Sequence, residues 1–408
     1  MLEPEQLARY ADAIVHACLG LNEGDVLAVY GAPAHRELVV AVAEAGYRAG
    51  ARLVEIVYAE PHAQAARIRH AADEALGPIP DWSMRRARAL QRPDAASVRL
   101  MGESDPGVFD GLPPERVAAD HARAAEKAAP LRRSAQRGRN RWVGAAWPTP
   151  AWAAQVYPDV DVLEAQRRLG ADLMHFCRLG PDDPPGFEGW KRHTEQLVAR
   201  ARALTALDLR RLELRIAETA LDLRLVPGTR WLGGPRENAW GQISSPNFPT
   251  EESFTSPDPA GTEGTFRCSR PLAFRGRVIE GIAGEFRRGR LVRLEAARED
   301  ERDFLAAALA TDRGAGRLGE IALVDRSSRI GRAGRIYFNT LLDENAAAHM
   351  AFGFGFGMAR LPGARRRRVN SSALHLDVMI GTDALEATGV TEGGRRVPLV
   401  RAGEWQVP

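Results

Sequence analysis

Along the first half of the chain, largely apolar runs of strand length alternate with stretches whose apolar residues recur at helical spacing. DVLAVYGA (25–32), ARLVEIVY (51–58), SVRLMG (97–102) and RWVGAAW (141–147) predict buried strands. Helical patterns fall between them at 34–49, 61–75 and 114–136. Strands separated by helices predict βαβ units, and so an α/β domain with a mostly parallel sheet and helices on both faces. The turn after the first strand, GAPAHREL, lacks the GxGxxG pattern, so the alternation carries no dinucleotide signature.

Two further helical segments, 161–178 and 187–206, bridge to a region of different period. From residue 209 the runs LRRLELRIAETALDLRLVPG and RPLAFRGRVIEGIAGEFRRGRLVRLEA alternate apolar with polar positions between hairpin-like breaks. That period of two predicts an α+β domain with a largely antiparallel sheet. The expected division is 1–206, an α/β domain with its helical bridge, and 207–408, an α+β domain.

Composition narrows the chemistry. The chain has 408 residues, 45% hydrophobic and 27% charged, which suits two or three globular domains. No run approaches the roughly 18 apolar residues of a membrane span, and MLEPEQLARYADAIV is an acidic amphipathic start rather than a signal peptide. A cytoplasmic protein without a membrane partner is expected. Cys18, Cys177 and Cys268 lie far apart and form no CxxC pair, so any metal must be held by oxygen and imidazole. The net charge of +3 comes almost wholly from arginine, since Lys127 and Lys191 are the only lysines. With alanine and glycine abundant, this reflects base composition, and no nucleic-acid partner is expected. The run ARRRRVN (364–370) predicts a solvated loop.

Candidate chemistry lies in the second half. In SSALHLDVMIG (371–381), His375 and Asp377 are two apart, so on a strand they share a face while Leu374, Leu376 and Val378 take the other. A cation or a structural hydrogen bond would each satisfy such a pair. In SSPNFPTEESFTSPD (244–258), prolines predict an extended segment around Glu251 and Glu252, whose side chains then point opposite ways. In GRLGEIALVDRSS, Glu320 interrupts a run that otherwise reads as core, and a buried carboxylate needs a partner. NTLLDENAAAHMAFG predicts a helix on which Asn345 and His349 share a face. His349 itself is either a packed ring or the polar head of a site. Together these segments offer the hard-to-borderline donors that divalent ions accept, with no zinc-finger or HExxH spacing in competition.

PNFPTEESFTSPD, GRLGEIALV, FNTLLDENAAAHMAFG and ALHLDVMIG resemble, in order and approximate spacing, the motifs of the aminopeptidase T/aminopeptidase S family of dinuclear metalloaminopeptidases. The resemblance extends to LARYADAIVHACLGLNEGDVLAV, GYRAGARLVEIVY, WPTPAWAAQVYP and the closing VPLVRAGEW. It implies a homodimeric cytoplasmic exopeptidase acting on peptides with a free N-terminus, with two divalent ions (Zn, Co or Mn) in its second domain. The family's ligands fall on Glu252, Glu320, His349, His375 and Asp377. Glu251 and Glu344 remain as candidates for the general base.

One position departs from the pattern. The family's catalytic tyrosine, seven residues after the histidine, is Phe356 here. A hydroxyl aimed at the developing oxyanion contributes about 3 kcal/mol, and phenylalanine has no donor. The leading expectation is an aminopeptidase. The alternatives are a specialised amide or peptide hydrolase with altered chemistry, and a catalytically weakened peptide-binding relative.

Overall fold

The computed structural model describes residues 2–407 except 103, 106, 137, 276 and 363–368. The arginine run at 365–368 therefore lies outside the described residues. The chain divides into two compact units, residues 1–194 with 235–250, and residues 195–234 with 251–408. The sequence reading has one boundary, after residue 206; in the structure the chain passes between the units three times.

In the first unit, Val26–Gly31, Leu53–Tyr58, Ala95–Met101 and Trp142–Ala146 form the expected strands. They pair parallel, with the 53–58 strand outermost, then 26–31, 95–101 and 142–146. The segment Asn247–Phe248 adds a fifth parallel strand beside 142–146. Parallel neighbours need crossover connections, and the helices Arg36–Arg48, Pro61–His70 and Pro114–Gln136 lie between the strands. The helix Asp81–Ala89, rich in arginine and weakly apolar, escapes the periodicity. Leu27, Val29, Val98 and Val143 pack with Tyr10, Ile14, Leu38 and Val42 in one core.

The second unit is α+β, with two main antiparallel sheets and a two-stranded hairpin of Leu272–Phe274 with Arg277–Ile279. The larger has eight strands, among them Leu209–Ile216, Thr219–Arg224, Thr262–Arg267 and Glu386–Thr391. The smaller has four, in the order Ser253–Thr255, Leu318–Leu323, His349–Gly353 and His375–Met379. Leu212, Leu214, Phe266 and Phe286 of the larger share a core with Ile321, Met350, Phe352, Leu376 and Val378 of the smaller. The rings of Phe286 and Phe352 stack across it at 5.6 Å. One face of the four-stranded sheet is thus given to packing, and the other is left for chemistry.

The helix expected over 339–353 is a correction. A single turn, Thr340–Asp343, and a 3-10 turn, Glu344–Ala346, are followed by extended backbone at Ala347. His349 opens a strand and does not share a helix face with Asn345. The Ala346–Ala348 run favours helix locally, but the strands on either side offer His349–Gly353 a ladder along each edge.

Candidate metal centre

The register of the small sheet sets the site. Glu320 lies opposite Ala351, and Ala351 opposite Asp377. Residues opposed on neighbouring strands share a face, so two carboxylates flank one methyl group, and the small central residue leaves room between them. On a regular strand Leu318 and Glu320 would share a face. The pairing slips between them: Leu318 opposes Phe352 while Glu320 opposes Ala351, so Gly319 is an extra residue and the strand bulges. Leu318 and Ile321 can then both enter the core while Glu320 faces the site. A Cβ on Gly319 would stand 2.1 Å from the carbonyl oxygen of Phe354, so glycine is required.

His375 and Asp377 share a face, as their spacing predicts, and Leu374, Leu376 and Val378 point into the core. The Nε2 of His375 stands 3.4 Å from Glu320 Oε2 and 3.4 Å from Asp377 Oδ1. Its Nδ1 is 2.9 Å from the carbonyl oxygen of Phe354. His349 is arranged alike, with Nδ1 3.2 Å from the carbonyl oxygen of Ala347 and Nε2 3.2 Å from Glu252 Oε2. A carbonyl only accepts, so each Nδ1 carries the proton and each Nε2 is the nitrogen turned to the carboxylates.

Glu252 enters from the extended segment ahead of Ser253–Thr255, and the neighbouring Glu251 lies within electrostatic reach of Arg200. Glu252, Glu320 and His349 each offer a donor atom within 4.8 Å of the others, as do Glu320, His375 and Asp377. Glu320 belongs to both groups. Glu252, Glu320, His349 and Asp377 are buried, and His375 keeps 29% of its side chain exposed.

Burial, with the charges of Glu252 and Asp377, raises Glu320 to about 7 despite the opposing His375. Burial and the charges of Asp377, Glu252 and Glu320 push the half-buried Glu344 well above the carboxylate range. Burial opposes a charged His349, but the bond and charge of Glu252, with Asp377 and Glu344, outweigh it and raise the imidazole to about 10. Burial likewise opposes charge on His375, and the carboxylates of Asp377 and Glu320 override it. Four carboxylates thus converge on two imidazoles in a buried setting. That excess of negative charge, with two outward Nε2 atoms, fits divalent cations bound by mixed nitrogen and oxygen donors.

Phe356 lies beside this cluster. Its half-buried ring meets His375 edge-on at 5.3 Å and also touches Phe254 and Phe354. Phe352 packs in the core. Sequence reasoning missed the part played by Asn345, whose side chain accepts the N–H of Glu251 at 2.7 Å. It also missed Asp312, which anchors the segment leading into His375. A lone Asn and a loop Asp carry no periodic signal.

A sheet that presents two acid–imidazole triads through one shared glutamate has the donor set of a metal-dependent hydrolase. Residues 3–405 match the thermophilic metalloprotease (M29) family, and the chain belongs to that family and is a peptide hydrolase. It is 34% identical to aminopeptidase T of Thermus thermophilus over 98% of each chain. It is also 33% identical to aminopeptidase 2 of Geobacillus stearothermophilus, again over 98% of each. The solved structure of wild-type AmpT from Thermus thermophilus matches with a TM-score of 0.88 over 99% of each chain. A dioxygenase from Pseudomonas putida KT2440 matches at a TM-score of 0.55 and 14% identity, covering 100% of this chain and 99% of that one, a likeness of fold alone. Among the described residues no helix is long and apolar enough to cross a membrane.

Proposed function

We propose that the protein is a metal-dependent aminopeptidase that removes the N-terminal residue of peptides at a dinuclear site. The observation that carries this reading is the pair of triads joined by Glu320. Glu252 and His349 would hold one ion, His375 and Asp377 the other, and Glu320 both. Zn, Co and Mn all suit such donors. Bound there, divalent ions supply Lewis acidity and water activation. Glu344, within electrostatic reach of Asp377, Glu252, His349 and Glu320, would accept the water's proton and return it to the leaving amine. Glu251, whose charge acts on Arg200, is the weaker candidate for that role. All seven residues of this assignment lie in the second unit, whose catalytic role is part of the proposal, as are a homodimeric state and a cytoplasmic location.

Phe356, whose ring meets His375 edge-on, favours a second reading, a specialised peptide or amide hydrolase in which the scissile carbonyl lacks the tyrosine hydroxyl that the family resemblance implies. Both readings are tested by stripping the protein and reloading it with Zn, Co or Mn. Di- and tripeptides and aminoacyl anilides serve as substrates, with Phe356→Tyr and His349→Ala in parallel. Cleavage by the loaded natural protein supports the first reading. If only Phe356→Tyr cleaves, the second stands. Two ions retained by His349→Ala would mean the site is misplaced.

A further inference from the structure

Asn345 is fully buried on the turn that Glu344 opens, and its side chain bonds across to the Glu251–Glu252 segment, distant in sequence. Its Oδ1 accepts the N–H of Glu251 at 2.7 Å, and its Nδ2 donates to the carbonyl of Leu341 at 2.9 Å and reaches Glu344 Oε1 at 3.4 Å. A backbone N–H only donates and a carbonyl only accepts, so these partners allow one orientation of the amide. The carbonyl of Asn345 in turn accepts the Ser328 hydroxyl at 2.7 Å, which ties the residue from behind. We infer that Asn345 is a positioning residue for hydrolysis, holding the Glu344 carboxylate and the Glu251–Glu252 segment in fixed mutual placement.

The inference rests on the reading of Glu344 as the proton acceptor. Glu344 starts a 3-10 turn that follows a helix of only 4 residues, and elements so short have little stability of their own. Where its carboxylate sits relative to Glu252 is therefore decided by tertiary bonds, and the Asn345 amide spans both sides. A misplacement of about 1 Å between reacting groups costs on the order of a hundredfold in rate.

The test compares metal-loaded Asn345→Asp, Asn345→Ala and Glu344→Gln on leucine p-nitroanilide, in the natural and the Phe356→Tyr backgrounds, with metal content and Tm measured for each. Asn345→Asp keeps the acceptor for Glu251 but sets a second carboxyl group against Glu344. It is expected to keep wild-type metal content and a KM within about twofold while kcat falls about tenfold or more. Asn345→Ala should lose kcat similarly with a larger drop in Tm, so rate and stability separate. If Glu344→Gln is inactive while Asn345→Asp turns over as wild type, the positioning role is overturned and the Glu344 reading survives. An active Glu344→Gln overturns the reading, and the inference with it. Absence of turnover in both backgrounds overturns the aminopeptidase reading itself.

Discussion

The Nε2 of His375 stands 3.4 Å from a carboxylate oxygen of Glu320 and the same distance from one of Asp377. Because Glu320 also closes the triad with Glu252 and His349, its removal should not act like removal of either histidine. Glu320→Ala is expected to retain about no metal after dialysis, whereas His349→Ala retains about one ion per chain. Metal analysis of the dialysed proteins decides this, and two ions on Glu320→Ala would sink the shared-ligand assignment.

Much of this was legible in the sequence, for identifiable reasons. Strands such as 26–31 and 142–146 are buried, so their apolar runs mark them without tertiary knowledge. Glu320 stood out because a carboxylate interrupted a core-like run, and the period of two placed His375 and Asp377 on one face. His349 was misplaced on a helix because its three preceding alanines favour one, while the deciding ladders come from strands distant in sequence. The bulge at Gly319 was invisible for a similar reason: one extra residue has meaning only against the partner strand. The return of 235–250 to the first unit follows from pairing at Asn247–Phe248, two residues with no pattern to read.

Asp312 pins the approach to His375. Its carboxylate accepts the N–H groups of Gly314 at 2.8 Å and Ala315 at 3.0 Å, the Ser372 hydroxyl at 2.9 Å and the Ala373 N–H at 2.7 Å. Burial works against its ionisation, but these donors outweigh burial and hold it below the usual carboxylate range. With a folded pKa below the unfolded one, its contribution is complete above the unfolded value and fades as pH falls through the folded one. Asp312→Asn should cost about 1–3 kcal/mol at neutral pH. The gap to wild type should close as pH drops below about 4. Urea titrations between neutral and acid pH check this, and a gap independent of pH would contradict it.

Phe356→Tyr adds a donor beside His375, on a ring already held by Phe254 and Phe354. A well-placed oxyanion donor contributes about 3 kcal/mol to the transition state and little to the ground state. The variant should therefore raise kcat by about tenfold or more with KM nearly unchanged. Steady-state kinetics on an aminoacyl anilide measures both. An unchanged kcat would mean that the natural protein does not lack this hydroxyl function.

Gly319 links the fold to the chemistry most directly. A Cβ there would stand 2.1 Å from the oxygen and 2.3 Å from the carbon of the Phe354 carbonyl, backbone atoms that no rotamer change can move aside. Gly319→Ala must therefore shift the strand or close the bulge, and closing it turns Glu320 toward the core face, where a carboxylate would meet Phe352 and Leu376. Leu318→Ala, one residue away, removes only core packing and should cost about 2–5 kcal/mol while keeping both ions. Metal content and thermal unfolding of the two variants side by side separate the effects. Gly319→Ala is expected to lose metal at temperatures where it remains folded. If it kept wild-type metal content and turnover, the bulge would not be what aims Glu320.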